Sequence, residues 1–271
     1  MDYLNFVLVI VLTGAIISMT APFLGQYLVI KRMSHLTDTL AHISLFGIAV
    51  SLYFNFSPVI GAFISTLISG FWIELINKNK KYQFQETVLT LFLYGGLGLS
   101  SLIISLNKTK SFVGLNNFLF GNVNTVGIGD LIMTFIVCFF VLIILFGIRS
   151  RLFLSVYIPE IASSMKIKVG IYNLILTFLS SLLIAVGVQI LGVLLVGGLL
   201  IIPVLIGMEL GLGFFKTSIA SSLISVSGFL IGFLISFNFD VSTSGAVIST
   251  LICFYIIAKL ITFDRKRGNV L

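Results

Sequence analysis

The sequence predicts an all-α fold: a polytopic transmembrane helical bundle of about nine membrane helices, eight if one long apolar run is left undivided. Three observations predict it. Of the 271 residues 58% are hydrophobic and only 9% are charged, against about a quarter charged in a soluble domain. The mean hydropathy is +1.19. The apolar residues fall in runs of about 20, the length that crosses a bilayer core, and the cations gather in short clusters between them. A net charge of +7 distributed in this way marks topology rather than nucleic-acid binding, and the surface is matched to a lipid bilayer. Cys138 and Cys253 lie inside apolar runs, so neither a disulfide framework nor a Cys-based metal motif is expected. Both read as small core residues. The first run exceeds a signal-peptide h-region and has no basic n-region before it, so no cleavable signal is expected.

Residues 4–30 form the first run, closed by Lys31 and Arg32. The second, 35–54, carries Asp38 and His42 and ends in turn residues around Asn55 and Pro58. The third, 59–76, runs into the basic stretch N-K-N-K-K-Y-Q, and the fourth, 87–106, contains Gly95, Gly96 and Gly98, small residues that let helices approach. Residues 107–128 are too rich in Asn and Gly for lipid and too aromatic for a free linker. They are assigned to the external interface as a short helix or partly re-entrant segment. The fifth run, 131–148, stops at Arg149 and Arg151, and residues 155–170 are amphipathic and basic. Residues 171–208 carry no formal charge over about twice the length of one span, and are divided near Gln189 and Gly192. Runs at 217–236 and 245–263 complete the bundle, read as one domain over 1–271. An outer N-terminus and a cytoplasmic C-terminus leave only Lys108 and Lys110, of the 16 Lys and Arg, on the outside, the orientation that the positive-inside rule favours. If 171–208 held one span and a re-entrant piece, everything before it would flip.

The chemistry concentrates in the second run. A charged carboxylate at membrane depth costs about 2.5–3.5 kcal/mol on insertion scales, so an intramembrane Asp is a functional candidate by default. On a helix, Asp38 and His42 stand about 40° apart on one face and about 6 Å apart along the axis, so an oxygen and an imidazole nitrogen can converge on one ion. Carboxylate with imidazole suits Zn, Mn or Fe. The competing reading is a structural pair that ties two helices together. His35 shares the stripe but lies three residues past Arg32; it reads first as a headgroup-level histidine and second as a further ligand. Glu74, Glu86, Glu209 and Asp240 fall at span ends and read as solvated carboxylates, and Gly197-Gly198 as a helix contact. One Asp and one His fall short of the four ligands a transition metal usually takes. A two-fold axis between identical copies would supply a second Asp38 and His42, and such symmetric pairing is the commonest oligomer.

Three motifs carry a resemblance. K-R-M-S-x-L-x-D-x-x-x-H-x-x-L-x-G-x-A at 31–49, L-F-G-N-V at 119–123 and Q-x-x-G-x-L-L-V-x-x-L-L-I-I-P at 189–203 together resemble the permease subunit of bacterial zinc, manganese or iron ABC importers. The resemblance implies a type II ABC importer permease fold, in a multi-pass protein of the bacterial inner membrane. It also implies a homodimer of permeases, two cytosolic ABC ATPases, an external metal-binding protein that delivers the ion, and alternating access. The chain is then a transport subunit rather than an enzyme, with the metal as cargo and no permanently bound cofactor. No Walker A motif is present, so ATP hydrolysis belongs to another chain. In the family the cytosolic stretch reads like F-D-P-E-F-A-x-x-x-G; here it is Y-I-P-E-I-A-S-S-M-K, with Ile158 in place of Asp and Lys166 in place of Gly. Thr37 stands at a position usually Gly. Residues 157–168 are expected to form a short cytosolic helix seated in a groove of the ATPase, with Tyr157, Pro159, Glu160 and Ala162 as coupling residues, because Pro then Glu suits a first helical turn.

Two other classes compete. An intramembrane Asp/His pair also suits a proton- or ion-coupled secondary transporter, whose uptake would follow an ion gradient without an ATPase. Gly127-Ile128-Gly129-Asp130 matches the G-x-G-D pattern of intramembrane aspartyl proteases, which need two aspartates sharing a proton. Asp38 is the one available partner, and the topology puts it at the opposite membrane side.

Overall fold

Left-handed turn residues set the helix ends. The computed structural model describes residues 3–77, 82–106, 119, 121 and 127–268, so most of the predicted external segment at 107–128 and the cations of the third loop lie outside the described residues. Helix α1 (Tyr3–Ile30) stops where Arg32 takes φ 59°. The Met33 N–H then reaches the Leu28 carbonyl (2.9 Å) and the Arg32 N–H the Val29 carbonyl (3.0 Å), a Schellman closure. Helix α2 (His35–Tyr53) ends the same way at Asn55, φ 60°, and α3 (Pro58–Asn77) begins on a proline, whose missing N–H is no loss at a first helical position. There follow α4 (Tyr82–Leu106), α5 (Ile128–Tyr157), the short α6 (Pro159–Ser164), α7 (Val169–Leu191), α8 (Val193–Glu209), α9 (Phe214–Phe239) and α10 (Thr243–Gly268). No strand occurs among the described residues.

The predicted division of 171–208 falls at Gly192, whose φ of 86° and ψ of 160° suit only glycine. The chain reverses there, and a Cβ on Gly187 of α7 would stand 2.7 Å from Val196 of α8. Eight helices have the length and hydropathy of a span; α8, with 17 residues, is the shorter apolar helix, about 25 Å long at 1.5 Å per residue. Its position explains why it need not face lipid. The Leu200 carbonyl of α8 fills the space beside Gly25 of α1, Gly207 abuts Ser221 of α9, and Gly198 meets Ile248 of α10. Around this hub, 72% of the α7 span and 67% of the α2 span are buried, against 17% of α4 and 22% of α5. So α1, α2, α7 and α8 form the interior, and α4 and α5 belong to the rim with their apolar side chains turned outward. In α4 only Gly96 serves a close contact, against Ile43; nothing lies within 4 Å of Gly95 or Gly98.

Contacts at one end gather the connections predicted to be internal. Lys31 Nζ, after α1, lies 4.0 Å from Glu74 Oε2 near the end of α3. Glu74 also shares a cavity with Lys168 and Gly170, where α7 begins. The Gln26 amide donates to the Phe214 carbonyl at the start of α9 (2.9 Å). Since α7 and α9 both start at this end, α7 and α8 together bring the chain back to it, and the expected alternation on either side of 171–208 is kept. Glu74 departs from expectation. It is buried rather than solvated, at 7% exposure, and accepts a hydrogen bond from Thr177 (3.5 Å). Lys31 is its counter-ion: burial holds the Lys31 amine below the usual lysine range, and the Glu74 carboxylate opposes that pull. Of the two cysteines expected in the core, Cys138 is buried and Cys253 is exposed on α10.

Candidate functional site

Helix α2 packs closely on two neighbours, α3 and α4, through glycines. Gly47 meets the Gly61 carbonyl of α3, Gly96 of α4 meets the Ile43 backbone, and Leu40 reaches Gly70 of α3. The Thr39 hydroxyl donates to the His35 carbonyl (2.8 Å) and shares its proton with the Leu89 carbonyl of α4 (3.2 Å). Thr37 and Ser44 are likewise buried and donate to the carbonyls of Ser34 (2.8 Å) and Ala41 (2.6 Å). These hydroxyls satisfy themselves locally, as buried polar groups must. One face of α2 is open. There His35 and Asp38 are exposed, and His42 and Phe46 are half-buried, at helical spacings of three, four and four residues.

The three predicted candidates therefore share one stripe. His42 Nδ1 is buried without a hydrogen-bond partner, an uncommon state for a buried nitrogen that calls for an explanation. No group of three or more His, Cys, Asp or Glu side chains suited to a metal occurs among the described residues, so His35 does not complete a ligand set within one chain. Asp38 is seated by Gly197, which in the sequence reads as a helix contact. A Cβ on Gly197 of α8 would stand 2.6 Å from Asp38 Oδ1, so the missing side chain is what leaves the carboxylate its place. The signal was present, since Gly197 lies in the third motif, but its partner was not legible.

Asp130 sits elsewhere. Its Oδ2 accepts from the Gly127 N–H (2.9 Å) and its Oδ1 from Gln189 (3.5 Å), at the α7 end remote from Lys168. It caps α5 and locks it to α7, while Asp38 lies against α8, so the two aspartates do not form a protease dyad.

Of the coupling candidates, Pro159 opens α6 and Glu160 occupies its first turn. Tyr157 and Glu160 are exposed, and Ala162 is fully buried at 0%. The outward face is instead Tyr157, Ile158, Ile161 and Met165. Lys166, standing where the family pattern has Gly, takes φ 60°. The Ile167 N–H bonds the Ala162 carbonyl and the Lys166 N–H the Ser163 carbonyl, both at 3.0 Å, a third Schellman closure. Left-handed backbone costs a non-glycine residue about 1–2 kcal/mol, which accounts for glycine at that position in the family.

A multi-pass helical membrane bundle with an ionisable stripe on an enclosed helix, and a short exposed helix after a long span, has the build of a transporter's permease subunit. Comparison with known proteins gives the family: the chain belongs to the ABC 3 transport family, whose profile matches residues 3–262. It is accordingly a metal ABC-transporter permease, a transport subunit rather than an enzyme. The high-affinity zinc uptake system membrane protein ZnuB of Buchnera aphidicola subsp. Schizaphis graminum is 30% identical over 258 residues, 92% of this chain and 95% of that protein. The manganese import system permease protein ScaB of Streptococcus parasanguinis is 24% identical, covering 95% of this chain and 91% of its own length. The solved structure of PsaBC from Streptococcus pneumoniae in complex with Fab has the same fold, with a TM-score of 0.82 and 22% identity over 94% of this chain and 91% of that one.

Proposed function

We propose that two copies of this chain form the membrane pathway of an ATP-driven importer of divalent zinc, manganese or iron in a bacterial inner membrane. The observation that carries the reading is the open stripe of α2, where Asp38 is left exposed on an otherwise enclosed helix beside His42. An apolar bundle that turns an Asp/His pair outward, with no fuller ligand set among the described residues, is incomplete alone. Two stripes facing across a two-fold axis give two carboxylates and two imidazoles, four ligands of the types that bind these metals and two negative charges against the ion's two positive ones. The metal is cargo, held in passing. The cation-rich end that gathers Lys31, Lys168 and the start of α9 is the cytosolic one under the positive-inside rule, with the N-terminus outside and the C-terminus in the cytoplasm.

At that end α6 projects Tyr157, Ile161 and Met165 toward an ABC ATPase, while Ala162 anchors the helix from beneath. An external metal-binding protein delivers the ion at the opposite end. Support for the ATPase and the binding protein comes from family membership. The test is energetic. In proteoliposomes that hold the permease and its ATPase, uptake of radiolabelled zinc or manganese requires ATP and is lost when the ATPase's Walker A lysine is replaced. Uptake by the permease alone, driven by an imposed proton gradient, would mean a secondary transporter instead.

A further inference from the structure

A cleft between α5 and α9, lined by no residue of α2, has the features of a lipid site. Helices α5 and α9 both pack on α1 without packing broadly on one another, and between them opens a cavity of about 680 Å³, within the range of ligand pockets. Its walls are aromatic. Phe23 meets Phe146 edge to face (5.5 Å between centroids), Tyr27 meets Phe214 (5.2 Å), and Phe214 meets Phe153 (4.8 Å). Its rim is cationic and polar: the exposed Arg149 and Ser150 line it, and Lys216 is exposed on the first turn of α9. The Arg149 guanidinium lies over the Phe215 ring (5.6 Å), and among the described residues it has no carboxylate partner within ion-pair distance.

We propose that this cleft binds an anionic phospholipid of the cytosolic leaflet, one acyl chain among Phe23, Phe146 and Phe153 and the phosphate at Arg149. Two observations fix the occupant. The cleft continues outward into the apolar flank of α5, where Phe135, Ile136, Phe139 and Ile143 are exposed, so lipid tails reach it without crossing water. The charge sits where a headgroup lies, since Arg149 ends the apolar part of α5 at the cation-rich end, and basic pockets between helices on that side select anionic headgroups. The site also has a mechanical position. Phe153 stacks on Tyr157 (5.1 Å), the last residue of α5 before α6, so a bound lipid braces the helix that carries the ATPase-facing element.

The experiment uses the full chain purified in mild detergent, with retained phospholipid read by native mass spectrometry after exposure to equal phosphatidylglycerol and phosphatidylcholine. The wild-type protein retains phosphatidylglycerol preferentially. Arg149→Gln reduces that retention about fivefold, the effect of one cation at a membrane surface, while Arg151→Gln, outside the cleft, leaves it unchanged, and both variants keep the wild-type melting temperature. Equal retention of the two lipids by the wild type, or unaltered retention by Arg149→Gln, overturns the proposal. So does protection of a Phe215→Cys thiol from labelling only when a second copy or the ATPase is added, because the cleft would then be a protein interface.

Discussion

Asp38 and His42 were legible in the sequence because a membrane makes ionisable residues conspicuous and because a spacing of four puts two side chains on one helical face. Gly197 was not legible as their support. A glycine's contribution is an absent Cβ, and what that absence admits depends on a helix far away in the chain. The structure turns this into a prediction. In Gly197→Ala the new Cβ meets the movable end of Asp38 rather than backbone, so the protein folds and inserts normally while the carboxylate is turned aside. Metal-dependent uptake should fall about tenfold to a hundredfold, as for other residues that hold a metal ligand in place, with expression and melting temperature unchanged. Wild-type uptake in that variant would detach Gly197 from the site. The same blindness explains Glu74: as an isolated charge at a span end it reads as solvated, and only the packing of α3 beside the α1–α2 turn shows that Lys31 covers it.

At the scale of the element, helix existence was legible almost everywhere and helix facing was not. In a soluble helix polar residues mark the outward side, but in a bilayer both lipid and protein interior are apolar, so Cys253 and Cys138 look alike in sequence and lie on opposite sorts of surface. The reversal at Gly192 was readable from its glycine; the use of α8 as a hub was not. Helix α6 shows the same limit, since Ala162 belongs to the expected coupling stretch and turns inward while Ile161 turns outward at 50% exposure. In the proposed contact with the ATPase, Ile161 and its exposed neighbours take the place expected of Ala162. Ile161→Glu should leave insertion and the ATPase's basal hydrolysis intact and reduce ATP-driven uptake by about tenfold or more, the equivalent of about 1.4 kcal/mol or more of lost coupling. Hydrolysis and uptake that both match the wild type would remove α6 from the ATPase contact.

At the scale of the whole molecule, one chain closes its interior around α7 and α8, keeps an apolar rim, and leaves the Asp38 stripe of α2 open on one side. On the proposed reading, two-fold pairing through α2 completes the pathway, with Gly197 on α8 seating each carboxylate and α6 at the cytosolic end of each copy. The measurement that decides between this arrangement and a structural Asp/His pair is metal uptake by Asp38→Asn and His42→Ala in the reconstituted complex with its ATPase. Each substitution should lower zinc or manganese uptake by about a hundredfold, while dimer content, melting temperature and basal ATP hydrolysis stay at wild-type values. Wild-type uptake by both variants would contradict it and leave Asp38 and His42 as a packing device.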